Sequence, residues 1–514
     1  MKKNKIFLVL NIIPIIFILT STYIRFYINF TAEQLIFSLK FSEGTSITAL
    51  KEGIIFVLIG IIIILFILKL IKILYYKTTI HKIISNVKMN LCFKLGKKKF
   101  TFKLIPFTIK TKIFLFLIFL ILSILYSFSI LKIMNYISKQ FQLSTLFEDY
   151  YVNPRDVEIT FPENKKNLIY IYVESLEMSS ASIKNGGLIS NDSYIPNLEK
   201  VAQDNINFSD KNNLGGAHQV SGTGWTVAGM VATTSGIPLK IAIDQNEYIG
   251  YESFLPGAYS LGEILKENGY KNYIMMGSDS DFGGRKDYFK QHGDYEIFDY
   301  NWALHHKKID KGYYVWWGFE DKKLYDFAKE ELSSISKNNE PFNFTLLTAD
   351  THFVNGYNDK TCEQKYNTQY SNVIYCTDKM LNEFLNWLKD QPYYDDTVII
   401  LTGDHLTMQK NFYNDSDKDK RTVYNAILNS QVSSNTYKNR LFTTMDMYPT
   451  TLASLGASMN SDRLGLGTNL FTEKKTLSEE MGLDKLDDEI SKRSNFYDYN
   501  LLGGNYFDMQ KKTS

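Results

Sequence analysis

The sequence predicts N-terminal transmembrane α-helices followed by an α/β domain whose mainly parallel central sheet is sandwiched by helices. Three observations lead there. Up to about residue 135 the chain is dominated by Ile, Leu, Phe and Lys, and beyond it the composition becomes Tyr- and Asp-rich. Three apolar runs in the first part approach the roughly 20 residues that a helix needs to cross a bilayer. In the second part, short β-branched runs alternate with helix-compatible stretches, the pattern of strands joined by helical crossovers.

The apolar runs are Ile6 to Ile24, Gly53 to Leu74 and Ile113 to Leu131. Lys69 and Lys72 interrupt the second late, where their heads can snorkel to the interface. The first is unlike a cleavable signal peptide, being long, lacking a small-x-small exit and running into Arg25. Lysine placement orients the chain. Lysines crowd the N-terminus and the stretch from Lys77 to Lys112, which has no acidic residue, whereas Arg25, Lys40 and Lys51 are balanced by Glu33, Glu43 and Glu52. The positive-inside rule puts the N-terminus and the lysine loop in the cytoplasm, so three crossings leave everything after about residue 135 outside. The net charge of +2 averages a basic first part and an acidic remainder. The basic residues flank apolar runs, so no nucleic-acid partner follows. A channel or transporter is disfavoured because the spans carry no acidic or histidine residue for an ion path.

Domain boundaries follow: 1–135 membrane part, 136–165 juxtamembrane linker (polar and aromatic, expected to be partly helical and packed on the domain), 166–475 soluble domain, 476–514 tail. The first strand is Asn167 to Val173, apolar enough for the centre of a parallel sheet. It ends at Glu174, where a carboxylate past a strand end can ligate a divalent cation, although a solvated glutamate is the plainer reading. Ile195 to Ala202 reads as a helix with proline in its first turn. Ser221-Gly222-Thr223-Gly224-Trp225-Thr226 then leads into an apolar run. Thr223 between glycines is a candidate nucleophile, since a helix start offers free N–H groups to a phosphate; a capped turn is the alternative. Leu261 to Asn268 is an amphipathic helix and Tyr273 to Met276 a short strand. Arg285 follows two glycines in a loop suited to an anion, or equally to a solvated turn. Phe342 to Thr348 is a strand ending in Asp350-Thr351-His352. Val398 to Thr402 is another, ending in Gly403-Asp404-His405, which supplies an oxygen and an imidazole ligand together. A helix begins at Asp446, and Arg463 to Phe471 closes the domain. Three cysteines are too few for a disulfide scaffold. Cys362 and Cys376 can pair outside the cytoplasm or remain buried thiols.

Glu174 after a strand, Thr223 between glycines and Gly403-Asp404-His405 after a late strand together resemble the lipoteichoic acid synthase and phosphoglycerol transferase family of the alkaline phosphatase and sulfatase superfamily. The resemblance runs from about Asn167 to Phe471. Its most specific part, Gly222-Thr223 through Ala228-Gly229-Met230 to Gly236-Ile237-Pro238, is closest to the phosphoglycerol transferases of periplasmic glucans. It implies a sulfatase-like fold, with Glu174, Asp404 and His405 as metal ligands and Thr223 as nucleophile and fourth ligand. His352 would lie near the transferred group and Arg285 would hold the phosphate. The implied cofactor is a divalent metal, manganese first, with magnesium or zinc in relatives. The implied partners are a phospholipid donor, phosphatidylglycerol, and a glycan or glycolipid acceptor. The resemblance further implies a bacterial cytoplasmic membrane protein, multi-pass, with its catalytic domain on the periplasmic or extracellular side. The spacing from Cys362 to Cys376 is similar to a cysteine pair of the glucan-type enzymes. Met276 stands where the lipoteichoic acid synthases have histidine and Gly283 where they have tryptophan, which argues against polymer synthesis. No Cys or Ser followed by x-Pro-x-Arg accompanies Thr223, which argues against sulfate ester cleavage. The competing readings are a phosphoethanolamine transferase, a phosphodiesterase that passes the intermediate to water, and an inactive envelope-binding protein.

Overall fold

A computed structural model describes residues 11–28, 32–40, 54–66, 90–95, 98–103, 109–240, 254–338, 340–409, 412–413, 419–433 and 437–503. The chain divides into two compact units: one of residues 1–32 and 45–135, the other joining residues 33–44 to 136–514.

In the first unit, Ile113–Ile130 is, among the described residues, the one helix long and apolar enough to cross a bilayer. Ile12–Phe26 and Ile54–Phe66 are shorter apolar helices, and the rest of the two other predicted spans, with most of the lysine loop, lies outside the described residues. Large apolar side chains such as Phe114 and Leu122 face outward, which suits a hydrocarbon solvent better than water. The backbone between the second and third runs forms an antiparallel hairpin, Asn90–Leu95 with Lys98–Lys103, where the sequence reads as loop.

The second unit is built on six strands: β1 Asn167–Val173, β2 Lys271–Met276, β3 Glu296–Phe298, β4 Phe342–Leu347, β5 Thr397–Gly403 and β6 Asn425–Leu428. Their order is β3-β2-β4-β1-β5-β6, with only the β5–β6 pair antiparallel. The helices used below are α1 Ala32–Lys40, α2 Pro196–Asp204, α3 Thr226–Ser235, α4 Leu261–Glu267, α5 Arg285–Gln291, α6 Asp321–Ile335, α7 Gln369–Lys389, α8 Met447–Ser454 and α9 Leu483–Ser491. The sheet separates two apolar layers. Leu168, Tyr170 and Tyr172 of β1 join the layer containing Ala228 and Val231 of α3 and Leu452 of α8. Ile169, Ile171 and Val173 join the layer with Leu324 of α6 and Leu381 of α7. Burial on both faces explains why β1 reads as a continuous apolar run rather than an alternating one.

The stretch 136–165 buries Leu146 and Phe147 in the core, and its Ile159–Thr160 pairs with Ser458–Met459. The predicted tail differs from its expected status: its described part, 476–503, buries Leu477, Leu486, Ile490, Tyr497 and Leu501 in the same layer and is part of the fold. In α9, Leu486 and Ile490 are four residues apart, so one helical face is apolar although the segment is highly charged.

Cys362 and Cys376 form a disulfide, with Cα atoms 5.6 Å apart and a sequence separation of 14. Closing a loop of that size limits the unfolded chain by about 3 kcal/mol. A Cys362→Ser, Cys376→Ser double variant is expected to lose about that much in denaturant titration, and reductant should then change nothing further.

Candidate active site

The carboxyl ends of three adjacent strands, β4, β1 and β5, converge at one point, where open α/β sheets bind ligands. Glu174 follows β1, Asp404 and His405 follow β5, and all three are buried, with candidate ligand atoms within 4.8 Å of one another. Each is held by its neighbours so that one face stays bare. Asp404 Oδ1 accepts Ser175 N at 2.7 Å and His405 N at 2.9 Å, while Oδ2 has no hydrogen-bond partner. His405 Nδ1 lies 2.9 Å from the Leu406 carbonyl, which fixes the proton there and turns Nε2 inward, also without a hydrogen-bond partner. That nitrogen is 3.4 Å from Glu174 Oε1 and 3.4 Å from Asp404 Oδ2.

Electrostatics describe the same demand for a cation. Burial raises the Glu174 carboxyl, but His405 and His352 outweigh it and hold it well below the ordinary range. Burial and the Glu174 charge push Asp404 up to about 7. Burial opposes charge on His405, yet Asp404 and Glu174 win and raise it to about 10. Two buried carboxylates, a pre-set imidazole and two orphaned buried atoms fit a divalent cation with mixed oxygen and nitrogen ligands.

The predicted nucleophile is not at this point. Thr223 is fully buried, its hydroxyl donating to Val220 O at 2.9 Å and accepting Val220 N at 3.1 Å. It closes a tight turn and faces the interior, because the helix starts three residues later than a nucleophile at position 223 requires. The hydroxyl that reaches the cluster is that of Thr226, the first residue of α3, which donates to Glu174 Oε2 at 3.3 Å. Thr226 is half-buried, so it combines a hydroxyl turned to the Glu174 carboxylate, free helix N–H groups and access from outside. Gly229, one turn on, lets α3 lie against the Asp404 loop: a Cβ there would sit 2.0 Å from the Asp404 carbonyl. The sequence signal for Thr226 is its place after Gly224, at the true start of the helical run.

His352 and Arg285 flank the cluster. Thr351 Oγ1 donates to the Glu174 carbonyl and ties the β4 loop to β1. His352 Nδ1 is 2.6 Å from the Phe353 carbonyl, and burial lowers its pKa, so Nε2 carries the bare lone pair. Trp317 packs on its ring at 4.5 Å. Behind it, Asp321 accepts Ala349 N at 2.7 Å and Asp350 N at 3.1 Å, an anchor that sequence reasoning missed. Arg285 is not in a solvated loop but at the start of α5, nearly buried. It donates to Phe282 O at 2.9 Å and Asp279 O at 2.7 Å. Burial lowers it only to about 10, so it stays cationic at neutral pH, within the field of Glu174 and Asp404.

A family model described as Sulfatase matches residues 166–457. Phosphoglycerol transferase I of Salmonella choleraesuis strain SC-B67 is 32% identical over 345 residues, covering 65% of this chain and 42% of that protein. The protein of the same description from Salmonella typhi is 32% identical over 346 residues, with the same shares. The chain thus spans about two fifths of the length of these curated relatives. Among solved structures, a protein in the alkaline phosphatase superfamily from Vibrio parahaemolyticus has 22% identity and a TM-score of 0.49, covering 66% of this chain and 78% of its own.

Proposed function

The chain belongs to the sulfatase family, and we propose that it is a membrane-anchored phosphoglycerol transferase working through a covalent phospho-threonine on Thr226. The donor is phosphatidylglycerol and the acceptor a hydroxyl of an envelope glycan or glycolipid. The observation that carries this reading is the Thr226 hydroxyl at a helix start, 3.3 Å from Glu174 of the buried cluster. The curated phosphoglycerol transferases support the headgroup. The disulfide supports an oxidising compartment, hence a catalytic unit on the outer side of the cytoplasmic membrane.

Glu174, Asp404 and His405, with Thr226, would hold a divalent cation, manganese by family resemblance with magnesium or zinc as alternatives, whose charge favours the ionised hydroxyl. Thr226 Oγ bonds to the phosphorus as the bond from phosphorus to the diacylglycerol oxygen breaks. His352 Nε2 takes up the threonine proton and returns it to that departing oxygen. Arg285 and the α3 N–H groups hold the phosphoryl oxygens as charge develops. In the second half-reaction the acceptor hydroxyl gives its proton to His352 and attacks phosphorus, and Thr226 leaves and regains its proton.

Intact mass spectrometry tests this. The purified full-length protein with Mn²⁺ is offered phosphatidylglycerol or phosphatidylethanolamine in nanodiscs. A gain of one glycerophosphoryl unit mapped to Thr226 is expected. A phosphoethanolamine adduct would replace the donor and keep the mechanism. Glycerol phosphate released without acceptor would make the protein a phosphodiesterase. Neither metal nor adduct would return it to a binding protein.

A further inference from the structure

The loop that delivers Thr226 is held from both ends by residues distant in sequence. Asp487 of α9 accepts Ser221 N at 2.6 Å. At the other end, Gln34 of α1 donates through Nε2 to Gly224 O at 2.6 Å, with Met408 Sδ at 3.5 Å from the same nitrogen. Gln34 is buried, and Ile36, half a turn on, packs on the same apolar layer as α3. The Glu33 carboxylate lies beside the Gly222 N–H and Lys240. Although α1 precedes the rest of its unit by about a hundred residues, residues 33–44 belong with it.

Gly224 is two residues before Thr226 and cannot anchor itself through a side chain. Gln219 closes its other side: a Cβ on Gly224 would come within 2.5 Å of the Gln219 amide nitrogen. Gln219 Oε1 in turn accepts Leu406 N at 2.9 Å, next to His405. The Gly224 peptide is therefore fixed between one glutamine tied to the His405 loop and another supplied by α1. We infer that Gln34 is a positioning residue, its amide fixing the Gly224 carbonyl and thereby the placing of the Thr226 hydroxyl at the metal cluster. A misplacement of about 1 Å at a reacting atom can cost on the order of 100-fold in rate.

This inference rests on Thr226 being the nucleophile, and the test separates the two. The full-length protein in phosphatidylglycerol nanodiscs with Mn²⁺ is followed for the rate of adduct formation. Gln34→Met keeps length and helix preference but removes the donor; Gln34→Lys keeps a donor at similar reach. The Met variant is expected to slow adduct formation at saturating lipid by about 10- to 100-fold. Half-saturating lipid and Mn²⁺ affinity should stay within about twofold of wild type, and the Lys variant should recover most of the rate. A Met variant as fast as wild type overturns the inference. So do equal losses in both variants accompanied by equal falls in melting temperature, which would make Gln34 a packing residue. Absence of an adduct in wild type sinks the nucleophile assignment instead.

Discussion

Thr226→Ala is expected to lose headgroup transfer by on the order of 10⁴-fold or more and to gain no covalent mass with donor lipid, the scale seen when a nucleophile is removed. Thr226→Ser should retain the adduct because a hydroxyl at the start of α3 is preserved. Thr223→Ser should be close to wild type. Thr223→Ala should cost about 1 kcal/mol of stability, since the Thr223 hydroxyl pairs only with the Val220 backbone, yet still form the adduct. Diacylglycerol release and intact mass decide between the two threonines. An adduct that survives Thr226→Ala and disappears in Thr223→Ala would restore the assignment that the sequence alone favours.

Asp404→Asn and His405→Ala are each expected to weaken Mn²⁺ binding by at least about 100-fold, since even changes to groups supporting a ligand cost 10- to 100-fold. Chelation should lower the melting temperature of the wild type, because a saturating cation at about 100 times its dissociation constant adds about 2.7 kcal/mol. The metal-dependent gain, about 5 °C, should widen with pH. His405 rises from 6.5 to about 10 in the metal-free fold, so its contribution is complete below 6.5 and fades as pH climbs toward 10. Asp404 rises from 3.8 to about 7, so the fold binds a proton there that the unfolded chain lacks, and stability falls from pH 4 to 7. Both act against the metal-free protein as pH rises, while deprotonated ligands favour the cation. Glu174, held low, acts only in acid. Melting curves with and without Mn²⁺ at pH 6.5 and 8.5 check this; a gap that narrows at the higher pH would show that these three residues do not hold the metal.

The clustering of Glu174, Asp404 and His405 was legible because each member directly follows an apolar run, and a strand buried on both faces announces its own end. The strands β3 and β6 were not, since three- and four-residue edge strands carry too little apolar signal. Two threonines three residues apart look alike until the helix start is known; that depends on Trp225 adopting an extended backbone before α3. Arg285 reads as loop because Gly283 and Gly284 precede it; their left-handed φ values of 70° and 73° instead turn the chain into α5. The charged stretch of α9 hides an apolar face only four residues deep. Nothing in the sequence pairs Gln34 with Gly224, because a hydrogen bond to a distant carbonyl leaves no periodicity.

The separation between those two residues also sets a clock. Gln34 and Gly224 are 190 residues apart, and at about 5–20 residues per second of synthesis α1 exists for roughly 10–40 s before its partner carbonyl is made. For that interval α1 must wait with its own hydrogen bonds as its main support, which for nine residues in water is marginal. The loop's other anchor, Asp487, is made 266 residues after Ser221, so the loop bearing Thr226 is completed late in the chain's biogenesis. Slowing or stalling translation before Asn167 prolongs exposure of α1 rather than of the sheet, none of whose six strands has yet been made.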